Sequence, residues 1–313
     1  MSVPAKKSRA LYRWGEQLQL QSMALPAVAL LIIFSYIPMW GVLMSFQDYD
    51  ILKGLWGSPW VGFDKFLTFF GTRNFYMIMR NTIAISFMKL AFTFPAPIIL
   101  ALMLNEIKYI RVKRTIQTIT YLPYFLSWVI VSAMAFSLLS VDSGSVNMLL
   151  MAIGAIKEPV NWMSRPRFFW PLLVIINIWK NTGYSAIIYL AAIASINPEL
   201  FESAAVDGAR RRHCIWYITL PSIAPQIIIL LILSISNIMN AGFDEIMLLT
   251  NDGTNGVLRP VAETIDIHVY KMGIELQQFS YATAVGVFKS VINVSMLLIA
   301  NFTARSITDT GLW

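Results

Sequence analysis

The sequence has very few side chains that bind metals or form disulfides. It contains one cysteine, Cys214, and two histidines among 313 residues. A single cysteine forms no disulfide within its own chain, and three such residues are too few for a dedicated metal cluster. The phosphate-binding motif Gly-x-x-x-x-Gly-Lys-Ser/Thr is also missing, since the nearest string, 286–290, lacks the glycine before its lysine. Redox, metal and nucleotide chemistry are therefore not expected of this chain.

Charge is scarce as well. Only 13% of the residues are charged, whereas 57% are hydrophobic, which leaves too little polar surface for a water-soluble protein. The net charge of +7 is not an indication of nucleic acid, because such binders gather their basic residues on a soluble face. Here the charges lie in short segments between long apolar runs. The composition predicts an all-α, polytopic protein that contacts membrane lipid and binds no nucleic acid.

Six apolar windows are long enough to cross ~30 Å of hydrocarbon as helices. They are 24–46, 81–104, 116–139, 168–192, 222–249 and 281–303. The basic residues before the first window precede a run too long to be a cleaved signal, which predicts a retained anchor.

Lysine and arginine are unequally distributed between the two sets of connections. Twelve lie in the 73 residues of 1–23, 105–115, 193–221 and 304–313, against nine in the 93 residues of the other three connections. Because basic connections stay in the cytoplasm, we expect both termini there. This gives a cytoplasmic N-terminal segment, 1–23, a six-helix transmembrane domain, 24–303, and a cytoplasmic tail, 304–313.

The connection 197–221 predicts two short helices. Asn197 is a good N-cap, Pro198 suits the first helical position, and Gly208 is expected to end or bend the first helix. A second helix then leads into the fifth window. The small apolar face of the first helix is formed at i, i+3, i+4 and i+7 by Phe201, Ala204, Ala205 and Gly208.

This connection resembles the signature loop of permease subunits of bacterial ABC importers. The matching residues are Glu202, Ala204, Ala205, Asp207, Gly208, Ala209, Ile218, Leu220 and Pro221. Ser203 departs from the family, which often has alanine there. In that family the loop forms coupling helices that rest in a cleft of the cytoplasmic ATPase and transmit its closure to the spans. The alternative is an ordinary amphipathic connection, which occurs in transporters of every class.

Shorter stretches extend the resemblance to the maltose-type carbohydrate permeases, in the branch that serves polysaccharide-derived oligosaccharides. They are 36–41, 101–106, 121–124, 189–192 and 282–286. The resemblance implies a type I ABC importer permease fold in the bacterial inner membrane and a heterodimer with a second permease. It also implies two ATPase subunits, which bind ATP and Mg, and an extracytoplasmic solute-binding protein. On this interpretation the chain itself is no enzyme and holds no cofactor.

Polar residues inside the windows are expected to face the bundle interior or a water-filled path. At helical spacings they form three stripes, which are Tyr124, Ser127 and Trp128 in the third window, Asn177, Asn181 and Tyr184 in the fourth, and Asn237, Asn240 and Asp244 in the fifth. Amides, hydroxyls and aromatic faces suit a sugar, and maltose-type permeases contact their substrate from the same three helices. The alternative is that these residues bond neighbouring helices or kinked backbone.

Three lysines, Lys89, Lys180 and Lys289, lie too deep in the windows for easy snorkelling. Lys180 and Lys289 could attract uronates into the path, and the alternative is that they pair with Asp244 or Glu245.

The sequence leaves other functions to be weighed. A secondary transporter driven by an ion gradient needs no cytoplasmic docking helix, and no paired histidines, metal-binding carboxylates or Ser-Lys dyad indicate an intramembrane enzyme. A non-sugar cargo stays open because the loop reports how transport is driven and not what is carried. We predict a permease subunit of an ABC importer for an oligosaccharide, with alginate- or pectin-derived acidic chains as one option.

Overall fold

The computed structural model describes residues 21–308 and 310–313, so most of the predicted N-terminal segment lies outside the described residues. Within the described part, regular structure is helical apart from one isolated antiparallel bridge between Gln47 and Trp60. The helices are α1 (Gln21–Phe46), α2 (Gly54–Gly57), α3 (Asp64–Gly71), α4 (Phe75–Thr93), α5 (Pro95–Asn105), α6 (Ile110–Tyr121), α7 (Trp128–Leu138), α8 (Ser145–Ala152), α9 (Pro166–Ala194), α10 (Glu199–Val206), α11 (Arg211–Cys214), α12 (Leu220–Ser236), α13 (Phe243–Leu249), α14 (Arg259–Ala262), α15 (Ile265–Tyr270) and α16 (Phe279–Thr308).

Several of these helices are long and apolar enough to cross a membrane. Four qualify directly, namely Gln21–Phe46, Phe75–Asn105, Arg211–Ser236 and Phe279–Thr308. Two bent pairs qualify when each is counted as one span: α6 with α7, bent by 102°, and α9 with α10, bent by 70°. The predicted all-α class is confirmed, and the described residues contain four candidate spans, or up to six when each bent pair counts as one.

The predicted fifth window, 222–249, is wrong as a single helix. α12 ends at Ser236, a non-helical segment follows, and α13 begins only at Phe243. Gly242 has a φ of 101°, which side chains disfavour, and a Cβ there would meet the side chains of Glu245 and Lys89. The apolar run in the sequence therefore hides a break.

The third window, 116–139, is also broken. A short 3-10 turn, Leu122–Phe125, follows α6, and α7 begins at Trp128 in a new direction. Pro123 lies in that turn and has no backbone N–H, so it cannot continue an α-helical hydrogen-bond pattern. Ser127 caps α7, because its Oγ accepts the Ile130 N–H at 3.3 Å.

Small residues let the spans approach closely. A Cβ on Gly183 of α9 would collide with the backbone of Thr120 in α6. A cluster of buried residues joins α5, α9 and α12 at the end where the 197–210 connection lies, and it consists of Ala101, Ala186, Tyr189, Ile193 and Ile223. These contacts fix the helices on both sides of that connection.

Candidate functional site

The connection 197–210 forms a short helix that ends in a left-handed turn. The Asn197 side chain accepts the Glu199 N–H at 3.1 Å, so α10 begins one residue later than predicted, with Pro198 at its N-cap position. At the other end Gly208 has a φ of 74°, and the Ala209 N–H donates to the Ala204 carbonyl at 2.8 Å. The prediction that Gly208 ends this helix is confirmed.

The predicted docking face of α10 is only partly exposed. Phe201 and Ala204 are half-buried against the body of the protein, whereas Ala205 and Gly208 are exposed. Within the described part of the chain, no hydrogen bond or ion pair is formed by the carboxylates of Glu202 or Asp207, and both residues are exposed. Among the described residues, α10 and its C-cap residue Asp207 therefore present two unpaired carboxylates beside small residues.

The remaining matched residues connect α10 to the membrane helices. Ala209 is half-buried, and Pro221 is exposed in the first turn of α12. Leu220 packs against the buried cluster that joins α5, α9 and α12. The helix α11, the π-helical turn Ile215–Thr219 and α12 run on without a break from Arg211 to Ser236, so this connection leads directly into α12.

One contact next to this connection was not predicted from the sequence, and it is formed by Arg211, the first residue of α11. Arg211 lies 3.5 Å from the carboxylate of Glu106, the residue that follows α5. The basic run 210–212 and an acidic residue at the end of the second window were the only signals for it. The ion pair adds a third helix, α5, to those that the connection touches.

A cavity of about 450 Å³ lies between α4, α5, α9 and α12. Its polar lining residues include Asn237 and Asn240, two of the predicted pathway residues, from the segment after α12. The Asn240 side chain donates to Asn237 Oδ1 at 2.8 Å, and the Asn237 side chain donates to the Leu233 carbonyl at 3.0 Å. The predicted stripe of Asn237, Asn240 and Asp244 is wrong as a helix face, because this segment is not helical.

The stripe of the third window and one residue of the stripe of the fourth window meet at the break between α6 and α7. Tyr124 and Tyr184 stack with ring centroids 3.8 Å apart and planes 6° apart, and both rings are exposed. Trp128 lies beside them, with the Lys180 ammonium 5.4 Å from its ring centre. The structure thus brings these aromatic residues together, and none of the three is among the described residues that line the cavity.

Lys180 provides hydrogen-bond donors for the backbone carbonyls at that break. Its ammonium donates to the carbonyls of Pro123 at 3.4 Å, Tyr124 at 2.8 Å and Leu126 at 2.5 Å. The predicted alternative, pairing of Lys180 with Asp244 or Glu245, is therefore wrong. The physical reason is that a bent span leaves carbonyls without helical partners, and a buried cation offers them hydrogen bonds.

The two fourth-window asparagines belong to a buried network around Glu245. Asn181 donates to Asn177 Oδ1 at 2.9 Å, and Asn177 donates to the Glu245 carboxylate. Glu245 pairs with Lys89, whose ammonium also donates to the Ala241 carbonyl at 2.5 Å. The network joins α4, α9 and α13 across the break after α12.

Lys289 also has a partner that the sequence did not indicate. Its ammonium pairs with Asp266 of α15, and not with Asp244 or Glu245. Asp266 follows the fifth window by 17 positions and lies in a short helix, where hydropathy gives no sign that it approaches a span. The prediction of the Lys289 partner was therefore wrong.

Comparison with known proteins agrees with this architecture. Residues 93–309 match the family model described as binding-protein-dependent transport system inner membrane component. The polygalacturonan/rhamnogalacturonan transport system permease protein YteP of Bacillus subtilis is 41% identical over 308 residues, which cover 98% of this chain and 94% of that protein. Protein LplB of Bacillus subtilis is 43% identical over 291 residues, which cover 93% and 90%.

Solved structures of the same shape are also known. A chain from the crystal structure of a bacterial ABC transporter involved in the import of the acidic polysaccharide alginate aligns with a TM-score of 0.86 and 39% identity, covering 96% of this chain and 99% of that one. A chain of a bacterial alginate ABC transporter, in complex with an alginate pentasaccharide-bound periplasmic protein, aligns with a TM-score of 0.86 and 38% identity, covering 97% and 100%. This chain therefore belongs to the family of binding-protein-dependent transport system inner membrane components, and it has the fold of an ABC importer permease.

Proposed function

We propose that this chain and a second permease form the membrane path of an ATP-driven importer for acidic oligosaccharides. In this proposal an extracytoplasmic binding protein delivers the sugar, and two ATPase subunits dock on the cytoplasmic side. Support for the cargo comes from similar proteins, since one is named for polygalacturonan and rhamnogalacturonan transport and another belongs to an importer of alginate. All three of these polysaccharides contain uronates.

The observation that carries the proposal is the exposed helix α10 and its two connections. On one side the short link 195–198 joins it to α9, and on the other Gly208 and the next two residues join it to the continuous helix that includes α12. Both α9 and α12 contribute residues to the wall of the cavity. A push on α10 by an ATPase subunit would therefore move two walls of the cavity together.

Lipid, and not water, surrounds most of the rest of the surface in this proposal. Large apolar side chains are exposed along α1, α6, α7 and α16, and these helices qualify as spans alone or as a bent pair. The orientation that we propose places residues 197–210 and both termini in the cytoplasm, following the distribution of basic residues.

Reconstitution tests the function. We would incorporate the chain, its second permease and the ATPase subunits into proteoliposomes, add the loaded binding protein and measure ATP-dependent uptake of labelled uronate trisaccharides. Uptake that requires both ATP and the binding protein supports the proposal. Uptake that instead follows an imposed ion gradient without ATP would contradict it.

Orientation is tested separately with single cysteines in a Cys214→Ser background. Arg211→Cys should react with a membrane-impermeant thiol reagent only from the cytoplasmic side, and Ser164→Cys only from the outside. The two residues lie in connections that an odd number of spans separates, so the pair has opposite expected results. The reverse labelling pattern would exclude contact between α10 and a cytoplasmic ATPase.

A further inference from the structure

Among the described residues that line the cavity between α4, α5, α9 and α12, one is charged, Lys89. Its ion-pair partner, Glu245, does not line the cavity and lies against Asn177 instead. The pair is therefore oriented, with the cation toward the cavity and the anion behind it. A solute in the cavity meets a positive group and no negative one among the lining residues.

Lys89 also has hydrogen-bonding capacity to spare. An ammonium group carries three N–H donors. One donates to the Ala241 carbonyl at 2.5 Å and a second serves the Glu245 carboxylate. Among the described residues the third has no partner, and the side chain keeps 16% of its surface exposed. An unpaired charged donor at membrane depth is costly, so water or a ligand anion is its natural partner.

The other intramembrane lysines lack this arrangement. Lys180 gives its donors to three backbone carbonyls at the break between α6 and α7. Lys289 pairs with Asp266, and neither lysine lines the cavity. In this geometry the charges of Lys180 and Lys289 do not reach a sugar in the cavity. Lys89, in contrast, lies in the cavity wall and can contact it.

The surrounding wall offers neutral groups that complement a sugar. Asn237 and Asn240 contribute amides, and Ser185 and Ser234 contribute hydroxyls. At about 450 Å³ the cavity lies within the range of ~300 to 1,000 Å³ that is usual for small-molecule sites. A uronate residue has several hydroxyls and one carboxylate, so it matches a wall with several neutral polar groups and a single cation.

We propose that Lys89 binds the carboxylate of an acidic sugar residue in this cavity, while Glu245 and the Ala241 carbonyl hold the ammonium in place. The inference rests on the proposed function, namely that an oligosaccharide passes through this chain. Lys89 is then a specificity-determining residue, because a uronate forms a charge-assisted hydrogen bond with it that a neutral sugar lacks.

The test compares a uronate trisaccharide with its methyl ester, which has the same length and hydroxyls but no charge. Uptake of both is measured in proteoliposomes, and the acid-to-ester ratio of each variant is divided by that of the wild type. The binding protein is the same in every assay, so its own selectivity cancels. The double variant Lys89→Met/Glu245→Gln removes both charges and leaves an amide oxygen for Asn177. We expect its ratio to fall about tenfold.

A control removes a half-buried ion pair that does not line the cavity. Lys289→Met/Asp266→Asn deletes the same kind of pair, and its acid-to-ester ratio should stay within about twofold of the wild type. The single variant Glu245→Gln keeps Lys89 but removes its resident carboxylate, so its ratio should rise. This single variant is an independent test, because the amide keeps the contact with Asn177 and the ratio should move in the direction opposite to that of the double variant.

The outcomes separate the two proposals. A wild-type complex that takes up neither trisaccharide overturns the proposed function and this inference with it. ATP-dependent uptake with an unchanged ratio in Lys89→Met/Glu245→Gln, or a lowered ratio in Glu245→Gln, overturns the role of Lys89 alone. An equal fall of the ratio in the Lys289→Met/Asp266→Asn control also contradicts it, because the effect would then come from losing any buried pair.

Discussion

The α10 connection and the network around Glu245 solve different physical problems with charged residues. The connection keeps the carboxylates of Glu202 and Asp207 exposed and unpaired among the described residues. The network buries Glu245 at 4% exposure and satisfies it with Lys89 and Asn177. Free charges at an aqueous surface are available to another protein, whereas a buried charge must be neutralised within the fold. In our proposal the first region docks an ATPase subunit, whereas the second joins α4, α9 and α13 across the break after α12.

The largest expected effect of a single substitution falls on the buried network. Lys89→Met leaves the Glu245 carboxylate without its cation, and breaking a buried pair from one side costs about 3–5 kcal/mol. We expect a clear loss of thermal stability and of assembled complex, measured by fluorescence-detected size-exclusion chromatography after heating. Lys108→Met is the control, because Lys108 is exposed in the connection between α5 and α6. Equal stability of the two variants would remove the distinction between the regions.

A substitution in the exposed connection should change the association of the permease with the ATPase subunits and leave the stability of the permease unchanged. Glu202→Lys reverses a charge on the outer surface of α10 and is expected to weaken co-purification of the ATPase subunits about tenfold. Thermal stability of the permease should not change, because Glu202 has no partner to lose within the described structure. A destabilised permease with intact ATPase binding would show that Glu202 belongs to the fold and not to an interface.

Asn240 and Asn181 are both predicted pathway residues, but the structure places them in different surroundings inside the membrane. Asn240 lines the cavity, whereas Asn181 donates its amide to Asn177 within the buried network. Asn240→Leu should therefore lower sugar uptake by about five- to tenfold, the value of one hydrogen bond, with little change in basal ATP hydrolysis. Asn181→Leu should mainly lower stability. Normal sugar uptake by Asn240→Leu would show that the cavity is not part of the sugar path.

The smallest effect is expected at the Arg211–Glu106 pair. The side chains are 63% and 36% exposed, and exposed ion pairs contribute under about 1 kcal/mol. Arg211→Ala should therefore change stability little and transport by less than about twofold. A strong loss of ATPase stimulation in this variant would mean that the contact between Glu106 and Arg211 is also needed for coupling. The region proposed to transmit ATPase movement would then include the end of α5.

The sequence was sufficient where structure depends on near neighbours. The start of α10 was predicted to within one residue from Asn197 and Pro198, and its end from Gly208, because both depend on contacts within five residues. The same is true of the long spans, which depend on the composition of a continuous run.

Contacts between residues that are far apart in the sequence could not be predicted. Lys89 meets the carbonyl of a residue 152 positions away, and Lys180 meets carbonyls 54 to 57 positions away. The breaks at Pro123 and Gly242 lie inside apolar runs, where hydropathy does not distinguish a bent span from a straight one. Helical spacing then put Asn237 and Asp244 on a face that does not exist, because α12 ends before either residue. Partners of buried charges depend on tertiary geometry, which a single sequence does not contain.

The central claim, that the α10 connection transmits ATPase movement to the spans, is tested most directly with two matched glycines. Gly208 and Gly154 have φ values of 74° and 71°, and a Cβ at either meets nothing within 4 Å. Leucine at either position costs about 1–3 kcal/mol of backbone strain, but only Gly208 belongs to this connection. The measurement is ATPase stimulation by the loaded binding protein in proteoliposomes. We predict that Gly208→Leu abolishes stimulation while Gly154→Leu retains it, and full stimulation in Gly208→Leu would contradict the account.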